Sequence, residues 1–273
     1  MSLEKSLNSL LTFPNEETKM PVLFIGHGNP MNAIENNEFT KEWQKVASSI
    51  NKPKAIICIS AHWQTSGTKV TAMPLPTTIY DFYGFPKTLY QAQYKAPGSP
   101  ELAKLTKQII TSTDIELSSD WGLDHGSWSI LMHLAPEANI PVIQLSLDKT
   151  KSPIFHYQLA KELKTLRNKG VLIVGSGNIV HNLKEIDWQS PSSGYDWAIE
   201  FDEEIKQLIL SSDHDAIANY HQYGKLAQLA IPTNEHFLPL LYALALADQQ
   251  DEITFFADKL TLGSISMRSV KLG

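Results

Sequence analysis

One cysteine, Cys58, stands among 273 residues, so no intramolecular disulfide can form. It sits inside an apolar run, where a thiol behaves as a small hydrophobe. A chain built this way is expected in a reducing compartment, the cytoplasm. Arginine is nearly as scarce. Arg167 and Arg268 are the only two among 23 basic residues. The planar forks that clamp phosphates bidentately are thus almost missing, which argues against polyphosphate substrates. Excess positive charge is lacking too: the net charge is −6. Neither a nucleic-acid footprint nor attraction to an anionic membrane is expected from it. No apolar run approaches the length of a membrane span. Leu7 to Phe13 is a short Leu-rich piece flanked by Glu and Lys. It lacks the features of a signal peptide and reads as an amphipathic lead-in covering residues 1–20.

The chain has instead an ordinary globular composition, 42% hydrophobic and 19% charged. Strand-like and helix-like patterns alternate along it. Strands are expected near 21–26, 55–61, 68–73, Pro141–Leu147 and 171–175, with helices near 38–50, 100–112 and 153–168. Helical patterns dominate from 196 to 247, and a closing pair of strands follows in the tail. Continuous Val/Ile/Leu runs signal strands buried on both faces. The expected fold is a single α/β domain over 21–273, with a central, mostly parallel sheet and helices on both faces. The segment from Thr77 to Pro100 is the exception. It is rich in Tyr and Phe and lacks a period, so it is either a lid or a long connection pinned by its own aromatics.

Three of the apolar runs end in a histidine. Val22–Gly26 leads to His27, Ala55–Ala61 to His62, and Val171–Gly177 to His181. Ligands gather outside the carboxyl ends of strands in open α/β sheets, so these imidazoles can converge. His236 precedes Pro239, and since proline is tolerated in a first helical turn, a helix is expected to begin near Glu235 with His236 at its mouth. His125 follows Asp124, which can orient the ring or the local turn. Each of the five, taken alone, reads as a packed structural histidine. The three at strand exits and the one at a helix mouth, His27, His62, His181 and His236, together point to one shared transition-metal site. His133, His156, His214 and His221 fall in helical or polar contexts and read as surface or core residues. Short signatures of zinc proteases, calcium loops, serine-hydrolase elbows and complete dinucleotide fingerprints are all missing.

Several stretches resemble a known family: Gly26–Met31, Ser60–Trp63, Thr77–Pro86, Asp124–Trp128, Gly175–Leu183, Glu235–Leu240 and Gly263–Met267. They are similar, in the same order, to the class III extradiol ring-cleaving dioxygenases of the 4,5-DOPA type. The resemblance implies a non-haem metal ion at the strand ends, Fe²⁺ for activity, with Zn²⁺ also accepted by an all-imidazole site. It implies a small catechol and O₂ as substrates. It assigns His27, His62 and the Glu235–His236 pair to the metal, His181 to the role of base or fourth ligand, and His125 to that of proton donor. The broader class uses two histidines and a carboxylate, so either Glu235 or His236 fills the third position, and the DOPA-type branch points to His236. Two other readings use the same residues: a zinc hydrolase, and a non-catalytic metal-binding or interaction protein.

Overall fold

The computed structural model describes residues 13, 15–16 and 19–273. The lead-in expected over residues 1–20 therefore lies mostly outside the described residues. Six strands form the central sheet: β1 (Val22–Gly26), β2 (Ala55–Ser60), β3 (Val142–Gln144), β4 (Val171–Gly177), β5 (Ile253–Phe256) and β6 (Ser269–Leu272). Their order across the sheet is β3-β2-β4-β1-β6-β5. The first four are parallel, and β6 and β5 continue the sheet antiparallel.

The alternating faces of the strands explain the unbroken apolar runs. Val22, Phe24, Ile57, Ile59 and Ile173 point to one side. There they pack with α4 (Pro153–Glu162), α5 (Asp196–Leu210) and α6 (Leu238–Ala245). Leu23, Ile25, Ile56, Cys58 and Val174 point to the other side. They meet Trp43 and Val46 of α1 (Glu38–Ser48), and Trp128 and Leu131 of α3 (His125–Leu134). Each such aliphatic side chain, wholly removed from water, contributes about 1.5–3 kcal/mol before entropy is counted. α2 (Pro100–Ile109) covers the flank of the first face. Cys58 is buried among these side chains, and burial pushes its thiol upward, away from reactivity. No helix among the described residues is long and apolar enough to cross a membrane.

Several expected boundaries move. The helix expected over 153–168 is α-helical only to Glu162; Leu163–Lys169 tighten into a 3-10 helix that ends at Gly170 in the left-handed region, φ 74°. The strand expected over Pro141–Leu147 divides. Val142–Gln144 joins the central sheet, while Leu147–Asp148 pairs with Gln64–Thr65. The tail holds four short strands rather than two. Leu260–Thr261 and Ile265–Ser266 make a hairpin beside the main sheet. α6 begins at Leu238, not near Glu235, because Pro239 occupies the second helical position.

Register decides where the strand ends fall. Gly26 lies opposite Gly177, and Ser60 opposite Ser176. The carboxyl ends of β1, β2 and β4 are therefore level, and the residues just beyond them emerge along one rim.

Candidate metal centre

His27 leaves β1 with its backbone N–H donating to Gly177 O at 3.0 Å. His62 leaves β2 two residues after Ser60, whose hydroxyl accepts the His62 N–H at 3.2 Å. His236 arrives from the other direction, just before α6. Its carbonyl accepts from Asn178 N at 2.8 Å. It also lies so close to β4 that a Cβ on Gly177 would meet it at 2.0 Å. Glycine at 177 is what allows this approach. Asp124 caps α3, its side chain accepting the Ser127 N–H at 3.0 Å, so His125 is the first residue of a helix aimed at the rim. Asp124 thus orients the turn rather than the imidazole.

The structure brings His27, His62 and His236 together, their ligand atoms all within 4.8 Å of one another. His27 Nε2 and His62 Nε2 are 3.2 Å apart. Two imidazole nitrogens at about 2.0–2.1 Å from a tetrahedral zinc stand about 3.3 Å apart, so this edge is one of metal-site dimensions. Two bare nitrogen lone pairs at that separation repel unless a proton or cation lies between them. His125 joins the group with its ring 3.9 Å from that of His62 and 5.7 Å from that of His27. His181 behaves differently. Its ring stacks on His236 with centroids 3.5 Å apart and planes 9° from parallel. The two rings thus present their nitrogens in nearly parallel planes, while ligand atoms of His181, Glu235 and His236 lie within 4.8 Å of one another.

Burial, then the neighbouring imidazoles, hold His27, His62 and His236 well below the ordinary histidine value. Burial and His125 bring His181 down to about 4. These four rings are therefore neutral at physiological pH, the form that binds metals. Two carboxylates flank them. Glu235 Oε1 is 3.2 Å from His236 Nδ1 and also accepts from Thr233 Oγ1 at 2.8 Å. Asp81 Oδ1 accepts the His125 backbone N–H at 2.8 Å. Its Oδ2 lies 2.9 Å from His125 Nδ1, too poorly aligned for a good hydrogen bond, and 3.4 Å from His62 Nδ1. Burial opposes ionisation of Asp81, but His125 and His62 outweigh it and hold the carboxyl below its usual range. Orienting carboxylates behind imidazole ligands are the usual outer layer of a metal site. Three imidazoles backed by two carboxylates suit a divalent cation, whose charge the two anions balance.

Asp81 and Glu235 as orienting groups were not legible as such. Asp81 sits in the aromatic stretch 77–100, distant in sequence from both histidines it serves. That stretch is pinned by its own side chains: Tyr80 Oη donates to Ala92 O at 2.6 Å and Tyr94 Oη to Ala135 O at 2.8 Å. Phe82 turns its edge to the His125 ring at 5.5 Å. The segment is thus an anchored connection that also forms one wall of the site. The other four histidines stay outside it. His133 meets Asn32 O, His156 bonds Tyr242 and Asp148, His214 bonds Tyr157, and His221 packs on Tyr220.

Residues 21–269 match the model of the family described as the catalytic LigB subunit of aromatic ring-opening dioxygenase. The chain is 44% identical over 262 residues to the 4,5-DOPA dioxygenase extradiol of Escherichia coli, covering 94% of this chain and 96% of that one. It is 35% identical to the enzyme of the same name from Beta vulgaris, over 94% of this chain and 98% of the relative. A crystal structure of an uncharacterized protein from Escherichia coli K12 superposes with a TM-score of 0.82 at 40% identity, over 93% of this chain and all of that one, 100%.

Proposed function

The chain belongs to the LigB family of aromatic ring-opening dioxygenases, and from that premise we propose that His27, His62 and His236 hold one divalent metal ion, iron(II) for turnover. We further propose that a catechol of the DOPA class is the substrate, that His181 acts as base, and that His125 acts as acid. As an extradiol dioxygenase the protein is a metal-dependent enzyme that opens an aromatic ring with O₂. The observation that carries the ligand assignment is the imidazole triad with its 3.2 Å Nε2–Nε2 edge, backed by Asp81 and Glu235. His236 is favoured over Glu235 as third ligand because His236, and not Glu235, brings its ligand atom within 4.8 Å of those of both His27 and His62.

When bound, iron(II) supplies electrons to O₂ and Lewis acidity at the catechol oxygens, whereas zinc, having no redox chemistry, supplies only the second. The remaining work falls to side chains. His181 is neutral and stacked beside the triad, so one of its nitrogens is free to accept a phenolic proton. Its stacking on His236 favours this role over that of a fourth ligand. His125 lies against the same triad, its ring 3.9 Å from that of His62 and 5.7 Å from that of His27. Asp81 anchors the His125 backbone N–H and sets a carboxylate 2.9 Å from its ring Nδ1, which favours the orientation in which His125 gives a proton during O–O cleavage. Phe82 and its aromatic neighbours cover His125 and keep water from competing with that transfer.

The direct test is anaerobic loading with Fe²⁺ followed by a panel of catechols with oxygen uptake recorded. Oxygen consumed one-for-one with catechol, and none when zinc replaces iron, supports the proposal. Uptake no greater than that of free iron with every catechol rejects it. Unchanged metal content in His27→Ala and His62→Ala rejects the ligand assignment.

A further inference from the structure

Each metal-facing histidine has an oxygen near its other ring nitrogen, but the three oxygens differ. His62 and His236 face carboxylates. His27 faces a neutral hydroxyl: its Nδ1 lies 3.0 Å from Ser176 Oγ. Ser176 carries one hydroxyl proton, and that oxygen is also 2.5 Å from Gly126 O. A carbonyl cannot donate, so the short contact requires the serine proton to lie on the Gly126 side. The serine oxygen is then left with lone pairs only, and His27 Nδ1 must carry hydrogen to meet it. Ser176 and His27 are 0% and 1% exposed, so water does not compete for either group.

We infer that Ser176 is a positioning residue that locks His27 into the Nδ1–H tautomer, leaving Nε2 bare for the metal. The inference rests on the proposed assignment of the metal to His27, His62 and His236. The lock also ties two parts of the site together. Gly126 follows His125, so one hydroxyl joins the His27 ring to the backbone of the turn that presents His125. Only glycine fits at 126, because a Cβ there would meet Ser60 Oγ at 2.5 Å and His62 Cδ2 at 2.8 Å, so this turn packs directly against the His62 ring. Ser176 belongs to β4, an interior strand of the sheet buried at every residue, and so supplies a rigid reference for both histidines.

The test uses the full chain labelled with ¹⁵N-histidine, before and after titration with Zn²⁺. In the metal-free wild type, His27 is expected as the Nδ1–H tautomer in long-range ¹H–¹⁵N spectra. An Nε2–H tautomer there overturns the inference whatever any variant does. Ser176→Ala is expected to mix the two tautomers and to weaken Zn²⁺ binding roughly 10–100-fold, the usual cost of losing an outer partner of a ligating imidazole. Ser176→Thr, which keeps the hydroxyl, is expected to restore the tautomer. Unmixed Nδ1–H in Ser176→Ala, with Zn²⁺ affinity within about twofold of wild type, overturns the inference. These readouts do not depend on turnover: a protein that binds Zn²⁺ through a locked His27 but shows no catechol-dependent oxygen uptake after Fe²⁺ loading keeps this inference and loses the proposed catechol chemistry.

Discussion

Just before β4 begins, the guanidinium of Arg167 is buried and closed in. It donates to Met20 O at 2.8 Å, Leu246 O at 2.7 Å, Leu272 O at 3.3 Å and Asp251 Oδ2 at 2.5 Å. At the other end of the same strand, several imidazoles crowd one space. There Asp81 Oδ2, His125 Nδ1 and Asn178 Oδ1 lack a well-aligned hydrogen-bond partner. Both regions take polar groups out of water, and both incur the desolvation cost that this entails. Only the first offsets it internally. A closed network at the amino end of a strand fixes the fold, whereas an open one at the carboxyl end fits something brought from outside. Along β4, polar satisfaction is complete at the amino end and broken among the imidazoles at the carboxyl end, and that combination of unpaired polar atoms with clustered histidines is how the two ends can be told apart without reference to any relative.

The sharpest way to separate the ends is to remove the proton donor. His125→Phe is expected to cut turnover roughly 10²–10⁴-fold, the range for losing a positioned acid or base. Metal content and thermal midpoint should hardly move, since the triad retains all its nitrogens. Unaltered turnover removes His125 from the chemistry. At the closed end the pattern reverses. Asp251→Ala leaves the buried Arg167 charge with only the more distant Asp248 carboxylate, at 3.8 Å, and a loss of up to about 3–5 kcal/mol in unfolding free energy is expected by denaturant titration. Metal affinity should stay at the wild-type value in whatever fraction folds. A smaller, mixed effect belongs to Asp81→Asn. It weakens the hold on both His62 and His125, so metal affinity and turnover should each fall roughly 10–100-fold. A change confined to stability makes Asp81 merely a loop anchor.

Much of this contrast is legible in the sequence alone. Apolar runs two faces deep announce strands covered on both sides, and their polarity puts His27 and His62 on one rim. The start of α6 is less legible. Proline is compatible with any place in the first helical turn, and here Pro239 is second, so His236 precedes the helix instead of opening it. The break in Pro141–Leu147 is invisible because Leu145 is as apolar as its neighbours, yet it bridges Val70 outside the central sheet. Asp81 is least legible of all. One carboxylate in an aromatic stretch carries no signature. Only the folded path of 77–100, pinned by Tyr80 and Tyr94, brings it between two histidines far away in sequence.

The weakest expected effect concerns acid, and it tests whether the closed end depends on charge. Burial opposes ionisation of Asp251, but Arg167 and Lys19 outweigh it and bring the carboxyl down to about 2. An ordinary aspartate in the unfolded chain titrates at about 3.9. A carboxyl depressed on folding stabilises the native state fully above the unfolded value, and that contribution is lost as pH falls toward the folded one. Wild type should therefore exceed Asp251→Asn in stability above about pH 4, and the gap should narrow steadily down to about pH 2. Raising salt should change it little, because Arg167 is wholly enclosed while the Asp251 side chain is only 4% exposed. Chemical denaturation of both proteins between about pH 2 and pH 6 measures the gap. A gap that stays constant across that range means the carboxylate contributes shape and hydrogen bonds rather than charge, and the two ends of β4 then differ less than their contacts imply.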